Sequence, residues 1–342
     1  MATLADVAQM AGVSKAAASY VLGARPSAVR LGSDTRVRIL NAARELGYKP
    51  NPIATALSTG RTHIIGLLMH CPLEMLTHPN GAISFGTMMS AAARHGYRVM
   101  VLDPQSGAPL DGRTMDACVI TGWVKQELLD EVGRMAGRIV VVATHHRIPG
   151  ALYVPQTFEA VSKDGHRLAA HYLYDLGHRR IAVVDLYGSS ALTSETFRSV
   201  AAERGIAVRV DAFCDQWNVR TYPTTAAICA LNPLPTAVFA LDDDYARMLI
   251  SRFGRMGLRV PEDVSVFSGE THRTGYQTLP ALTGLDRKSE TMYGELIEKT
   301  TALLDGRLAA QDFTLSALEI EMVERDSCGP PRAREIQTKG TE

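Results

Sequence analysis

The stretch "TLADVAQMAGVSKAAASYVLG" (residues 3–23) dictates two short helices joined by a sharp turn. Thr3 followed three residues later by Asp6 has the spacing of a capping box, in which a hydroxyl and a carboxylate satisfy each other's backbone N–H groups. Leu4, Val7, Ala8 and Ala11 recur at helical spacing. Gly12 supplies the left-handed backbone that ends such a helix, and Ser14 caps a second one over Lys15–Leu22. Two turns cannot hold a helix in water, so this one must pack, with Ala18, Val21 and Leu22 as its inner stripe. Ala8 and Gly12 leave room for a close crossing. The construction is helix-turn-helix.

Working outward, a third helix starts near Ser33 and runs through Val37, Ile39, Leu40, Ala43 and Leu46 to a stop at Gly47, closing a three-helix core. Tyr48-Lys49-Pro50-Asn51-Pro52 is extended, because each proline pushes its predecessor out of helical space. Ile53–Thr59 forms one or two helical turns, with Pro52 at the N-terminal position that tolerates it. Charge sets this region apart. Lys and Arg number 36 in the chain and Asp and Glu 36, yet the segment up to Thr62 carries about +5 and the remainder about −5. A compact basic module on a mildly acidic body has the electrostatic footprint of a nucleic-acid binder.

From His63 onward, short apolar runs alternate with helical stretches. "HIIGLLM", "YRVMVLD", "DACVI" and "RIVVVAT" suit strands buried on both faces of a parallel sheet, with helices near Ala82–His95 and Gln126–Met135 between them. A second series reads "EAVS", "RIAVVDL", "IAVRVDAF", "TAVFAL" and "DVSVFS", interleaved with helices near Lys163–Asp175, Ser190–Glu203, Thr224–Ala230 and Asp243–Met256. Repeated β-α alternation implies doubly wound parallel sheets, and two series imply two lobes with a cleft between them. The tail from Cys328, "GPPRAREIQTKGTE" after the cysteine, is expected to be disordered. The five cysteines are widely spaced and lack C-x-x-C, which argues for a reducing compartment and against a disulfide framework or a zinc site. Asp6 interrupts any signal-peptide core, and no apolar run approaches the roughly 20 residues of a membrane span. A cytoplasmic protein without membrane contact is expected.

Residues 3–23 together with "TRVRILNAARELGYKPNPIATALSTGRTHIIGLL" (35–68) resemble the N-terminus of the LacI/GalR family of bacterial transcription regulators. "LGHRRIAVVD" (176–185), "PTAVFALDDD" (235–244) and "GLRVPEDVSV" (257–266) resemble landmarks of that family's effector domain, which is similar to periplasmic binding proteins. The resemblance implies an all-α helix-turn-helix domain over 1–49, a linker and hinge helix over 50–62, and a two-lobed α/β effector and dimerisation domain over 63–327. The disordered tail of 328–342 follows.

It also implies site residues. Lys15, Ala16 and Tyr20 fall where the family faces base edges in the major groove, and Ser14 and Ser19 fall where hydroxyls meet phosphate. Lys15 can donate to guanine acceptors, while Ala16 and Ala17 offer methyl contacts to thymine. Tyr20 replaces the arginine or histidine common at its position. Leu57, on the hinge with Ala54, matches the leucine that wedges into the minor groove and kinks the duplex. The loop "GARPSAVRLGSDT" is about three residues longer than is usual in the family, which makes Arg25 and Arg30 extra phosphate contacts or solvated charges.

Effector residues carry over less well. Val161 stands where sugar-binding relatives often place an aspartate, and Thr193 where they place an arginine. His70, Thr193, Trp217, Asp243 and Glu270 are the candidates left, each able equally to be a solvated or supporting residue. Asp243 and Glu270 could accept hydrogen bonds from hydroxyls or pair with a cation. The expected ligand is a small effector, a sugar or another polar metabolite. No cofactor is implied. A helical step of five turns through about 500°, so His166 and His171 diverge by about 140° and make a poor metal pair. Ser189-Ser190 lacks a G-x-S-x-G elbow, and no phosphate-cradling glycine motif follows a strand. The expected protein is therefore not an enzyme but a homodimeric, ligand-responsive repressor on a near-palindromic operator in double-stranded DNA. A two-lobed solute receptor without a regulatory role is the alternative. Ala82–His95 is a plausible dimer surface, and no leucine heptad follows Cys328 to build a tetramer.

Overall fold

The structure, a computed structural model, describes residues 2–22, 31–68, 76, 79–103, 111–121, 126–133, 139–143, 148, 150–154, 159–186, 190–215, 222–240, 242–271, 273–316 and 319–332. They form two compact units, Met1–Ile64 with Arg113–Asp116, and Ile65–Gly112 with Ala117–Glu342.

The described residues of the first unit include four α-helices. In α1 (Leu4–Ala11) the capping box is complete: Thr3 Oγ1 accepts from the Asp6 N–H, and the Asp6 carboxylate accepts from the Thr3 N–H at 2.8 Å. Gly12 takes φ 64° and ψ 42°, where a side chain would be strained. Helix α2 (Lys15–Leu22) starts at Ser14, whose Oγ accepts from the Ala17 N–H at 3.1 Å. With α3 (Ser33–Glu45) they bury Val7, Ala8, Ala11, Ala18, Val21, Ile39, Ala42 and Ala43. Val37 and Leu40 were expected in this core but are 54% and 44% exposed. Ile39, Ala42, Ala43 and Leu46 already fill one helical stripe, and Val37 and Leu40 lie off it. The fourth helix, α4 (Pro52–Thr59), follows the extended linker.

The second unit contains two sheets. The first has strand order β2-β1-β3-β4-β5 and comprises β1 (Ile64–Leu68), β2 (Arg98–Leu102), β3 (Ala117–Thr121), β4 (Ile139–Ala143) and β5 (Leu152–Tyr153). Around it lie α5 (Pro79–Arg94) and α6 (Gln126–Gly133). The chain then passes through α7 (Glu159–Asp175), β6 (Arg180–Leu186), α8 (Ser190–Glu203), β7 (Arg209–Asp215) and α9 (Tyr222–Cys229). Next come β8 (Ala237–Ala240), α10 (Asp243–Arg255), β9 (Ser265–Ser268), β10 (Thr283–Asp286), α11 (Ser289–Leu304) and β11 (Glu321–Val323). The second sheet runs β11-β10-β9-β8-β6-β7, and within it only β10 and β11 pair antiparallel.

Two features depart from the sequence-based expectation, and one helix lies outside it. "EAVS" (159–162), expected as a strand, opens α7 instead. A four-residue apolar run does not distinguish strand from helix, and Ala169, Ala170, Leu173 and Tyr174 continue it as a buried helical face. The strand at the end of the first series is β5, paired with β4. The late helix α11 returns to the first sheet, where Met292, Leu296 and Ile297 join the core of Ile65, Leu67, Val119 and Val141. Finally, the tail expected from 328 is tied down as far as Arg332. The Gly329 N–H donates to Ser265 Oγ at 3.0 Å, the Gly329 carbonyl accepts from the same hydroxyl and from His178, and Arg332 pairs with Asp263. Paired backbone groups and a half-buried Cys328 outweigh the polar composition there. Residues 333–342 lie outside the described residues.

Candidate nucleic-acid interface and effector site

On α2 the burial of Ala18 and Val21 leaves Lys15 and Ala16 exposed, with Ala17, Ser19 and Tyr20 half-buried. Tyr20 leans partly on the three-helix core, which restrains its ring at the helix surface. Ser14 is exposed and spends its oxygen on the Ala17 N–H, while its hydroxyl proton can still donate outward. The outer side of this helix is thus one long cation among small side chains, and the backbone can approach a flat or grooved partner closely. Arg25 and Arg30 lie outside the described residues.

Among the described residues nothing covers the apolar side of helix α4: Leu57 is 89% exposed and Ile53 79%, and Ala54 beside them is exposed as well. Its ends carry the stability instead. Asn51 Oδ1 accepts from the Ile53 and Ala54 N–H groups at 2.9 and 3.4 Å, and Gly60 closes the other end at φ 68°. Past that end, Thr59 Oγ1 donates to the Thr55 carbonyl at 2.8 Å and accepts from the Arg61 N–H at 3.2 Å. Immediately beyond, the Asp116 carboxylate accepts from the Thr62 N–H (2.7 Å), the Thr62 hydroxyl (2.9 Å) and the His63 N–H (2.9 Å). Sequence reading treated Asp116 only as the residue leading into a strand. The one signal that could have singled it out is an acidic residue directly before a fully apolar run.

In the body, candidate effector residues gather after the carboxyl ends of β8, β9 and β10, where doubly wound sheets place their ligands. Glu270 is half-buried, and its carboxylate accepts from the Ser289 hydroxyl at 2.5 Å. Arg287 Nε donates to the Gly269 carbonyl at 2.9 Å. Burial, with Glu270's negative charge added, pushes the Tyr293 hydroxyl well above its usual range, so it stays a neutral donor. His166 is held neutral by the opposite effects: burial first, then the charge of Arg287, push it down to about 3. Thr193 is buried. Asp243 is only 1% exposed and accepts from Ser268 Oγ at 2.9 Å, which ties α10 to β9. Asp242 caps α10 through the Tyr245 N–H. Structural ties thus engage both carboxylates of the Asp242-Asp243 pair, and Glu270, held by Ser289, lies just past the end of β9 and is half-buried. His70 and Trp217 lie outside the described residues. Among the described residues no group of three or more His, Cys, Asp or Glu could hold a metal ion.

Residues 3–51 match the model of the bacterial regulatory proteins of the lacI family, and residues 170–328 match a periplasmic binding protein-like domain. The HTH-type transcriptional repressor PurR of Vibrio cholerae is 26% identical over 357 residues, covering 96% of this chain and 98% of its own. PurR of Pasteurella multocida is 28% identical, covering 84% of this chain and 88% of its own. Among solved structures, the lac repressor dimer bound to operator and the anti-inducer ONPF aligns with TM-score 0.76 at 20% identity, over 96% of this chain and 99% of that one. The complex of the transcriptional regulator CelR with cellobiose aligns with TM-score 0.65 at 22% identity, over 96% and 100%.

Proposed function

We propose that this chain is a member of the lacI family of bacterial regulatory proteins and, on that premise, a ligand-responsive repressor. It acts as a homodimer on a near-palindromic operator in the cytoplasm, since a two-fold protein matches a two-fold site. Residues 1–49 form the DNA-binding module, 50–62 the linker and hinge, and the two-sheet body from 63 receives the effector. Lys15, Ala16, Ala17 and Tyr20 meet base edges, with Ser14, Ser19, Arg25 and Arg30 on phosphates. The observation that carries this reading is Leu57, exposed beside Ala54 on a capped helix with no core of its own. An apolar side chain in that position gains most by entering a minor groove and unstacking a base step.

The body offers an effector Glu270 and Arg287 just past the carboxyl ends of β9 and β10, with His70, Thr193 and Trp217 as further candidates. Hydroxyl-bearing or cationic metabolites suit Glu270. The relatives named PurR and the CelR–cellobiose complex support a small metabolite as the ligand class. Binding can shift DNA affinity only by the effector's differential affinity for the two states. No helix among the described residues is long and apolar enough to cross a membrane.

Selection of fragments of the source genome by purified protein at near-physiological salt tests the reading. An enriched near-palindrome supports it, and affinity for that site should fall steeply as salt rises through counterion release. A protein that enriches nothing, with or without a metabolite pool, is a solute receptor instead. Replacing Leu57 with Ala should weaken binding to the enriched site about tenfold or more and leave unrelated DNA almost unaffected. Equal losses on both would sink the hinge assignment. Lys15→Ala should relax preference at one base pair per half-site by about 1–3 kcal/mol. A uniform loss across all sequences would make Lys15 a phosphate contact.

A further inference from the structure

We propose that Asp116 is a positioning residue that clips the end of the hinge segment and thereby sets specific DNA affinity; this rests on the DNA-binding reading above. Asp116 is 5% exposed, and its carboxylate takes three donors from two consecutive residues: the Thr62 N–H, the Thr62 hydroxyl and the His63 N–H. Its own N–H donates to the Ile64 carbonyl at 2.8 Å, so side chain and backbone grip the same three-residue span. That span is not an ordinary turn. His63 sits at φ 55°, a conformation that costs a residue with a side chain and persists only where its surroundings over-determine it.

The clip continues a chain of hydrogen bonds from the hinge. Thr59 Oγ1 links the Thr55 carbonyl to the Arg61 N–H, and Thr62 Oγ1 accepts from the Ile64 N–H at 3.2 Å while donating to Asp116. Every residue from Thr59 to Ile64 except Gly60 thus takes part in a side-chain or backbone bond of this chain, and Gly60 N–H closes on the Ala56 carbonyl. Asp116 itself directly precedes β3, whose Ala117 pairs with Ile65 of β1. The clip therefore stands at the amino ends of β1 and β3, and the ligand-accepting ends of a doubly wound sheet are the opposite, carboxyl ends. Strands are stiff over such lengths. Without the clip, the two turns of α4 would hang from an untethered joint, and the entropy of ordering it would be charged against each binding event.

The test uses the full-length protein carrying Asp116→Asn, which keeps the shape but presents an amide N–H₂ to a backbone donor. Amide exchange at Thr62 and His63 should accelerate about tenfold or more, as loss of charge-assisted bonds predicts. Affinity for the genomically enriched fragment should fall about tenfold with affinity for unrelated DNA changed less than about twofold, because only the specific complex orders the hinge. Thr62→Val, which removes one of three donors, should show part of both effects, and Thr62→Ser should restore the wild-type values. Unchanged exchange, or equal losses on both DNAs, would overturn the proposal. Failure of the wild-type protein itself to enrich any DNA would overturn the functional reading, and the proposal with it.

Discussion

Lowering the pH from 7 to 4 should cost the two-sheet body about 3 kcal/mol of folding stability at each of His166 and His178. Both rings are buried and neutral. His178 is enclosed: with the proton on Nε2 it donates to the Gly329 carbonyl at 3.0 Å, and Nδ1 lies 3.0 Å from Thr236 Oγ1, whose hydroxyl also reaches the Arg180 carbonyl at 3.1 Å. Burial, partly offset by the bond to Gly329, lowers its pKa to about 4. His166 lies edge-on to Phe239 at 5.4 Å, its Nδ1 has no hydrogen-bond partner among the described residues, and its pKa falls to about 3. The sign follows from proton uptake. An unfolded histidine binds a proton below about pH 6.5 and these two do not, so acid favours the unfolded chain. The contribution is complete above pH 6.5 and is lost progressively down to pH 4 for His178 and pH 3 for His166. Urea unfolding midpoints measured from pH 7.5 to 4 should fall accordingly. In His178→Gln the fall should be about half as large. An identical pH dependence in the variant would show that His178 is protonated in the native state.

Gly284→Ala should destabilise the body by about 3 kcal/mol, more than most single-methyl additions. Gly284 pairs with Ser268 across β10 and β9, and a Cβ built on it would lie 2.4 Å from the Ser268 carbonyl oxygen and 2.8 Å from its Cβ. A carbonyl in a central ladder cannot rotate away without breaking its own bond, so the strands must part. Gly165→Ala is the natural contrast. Its added methyl meets only the ends of Leu285 and Ile320, at 3.0 and 3.3 Å, which can swing aside. Thermal or urea unfolding of the two variants should therefore separate them by about 2 kcal/mol. Equal destabilisation would mean that β9 and β10 can part as easily as two side-chain tips. Because Ser268 also holds Asp243 and the strand leads to Glu270, weakened effector binding should accompany the loss in Gly284→Ala.

The helix-turn-helix was legible because each of its devices is local. A capping box, a left-handed glycine and a serine cap act within four residues, and all appear where the spacing put them. The parallel strands were legible for a related reason, since burial on both faces leaves an unbroken apolar run. The same logic failed at Val37 and Leu40, where an apolar residue one helical step from the buried stripe faces outward. It failed again at "EAVS", too short to show a period.

What the sequence by itself determined is therefore the local grammar: the capped helices of the basic module, most of the longer helices of the body, and that two α/β series follow that module. Tertiary structure alone decided which distant residues meet. It returned α11 to the first sheet, pinned Gly329 to His178, and closed Asp116 on Thr62, residues that lie 54 apart in the chain. It also withdrew Asp243 into a tie between α10 and β9 and left Glu270 near the strand ends. The physical reason is the same in each case. Caps, turns and periodicity are short-range, whereas the burial and partnering of a polar side chain depend on elements that only folding brings together.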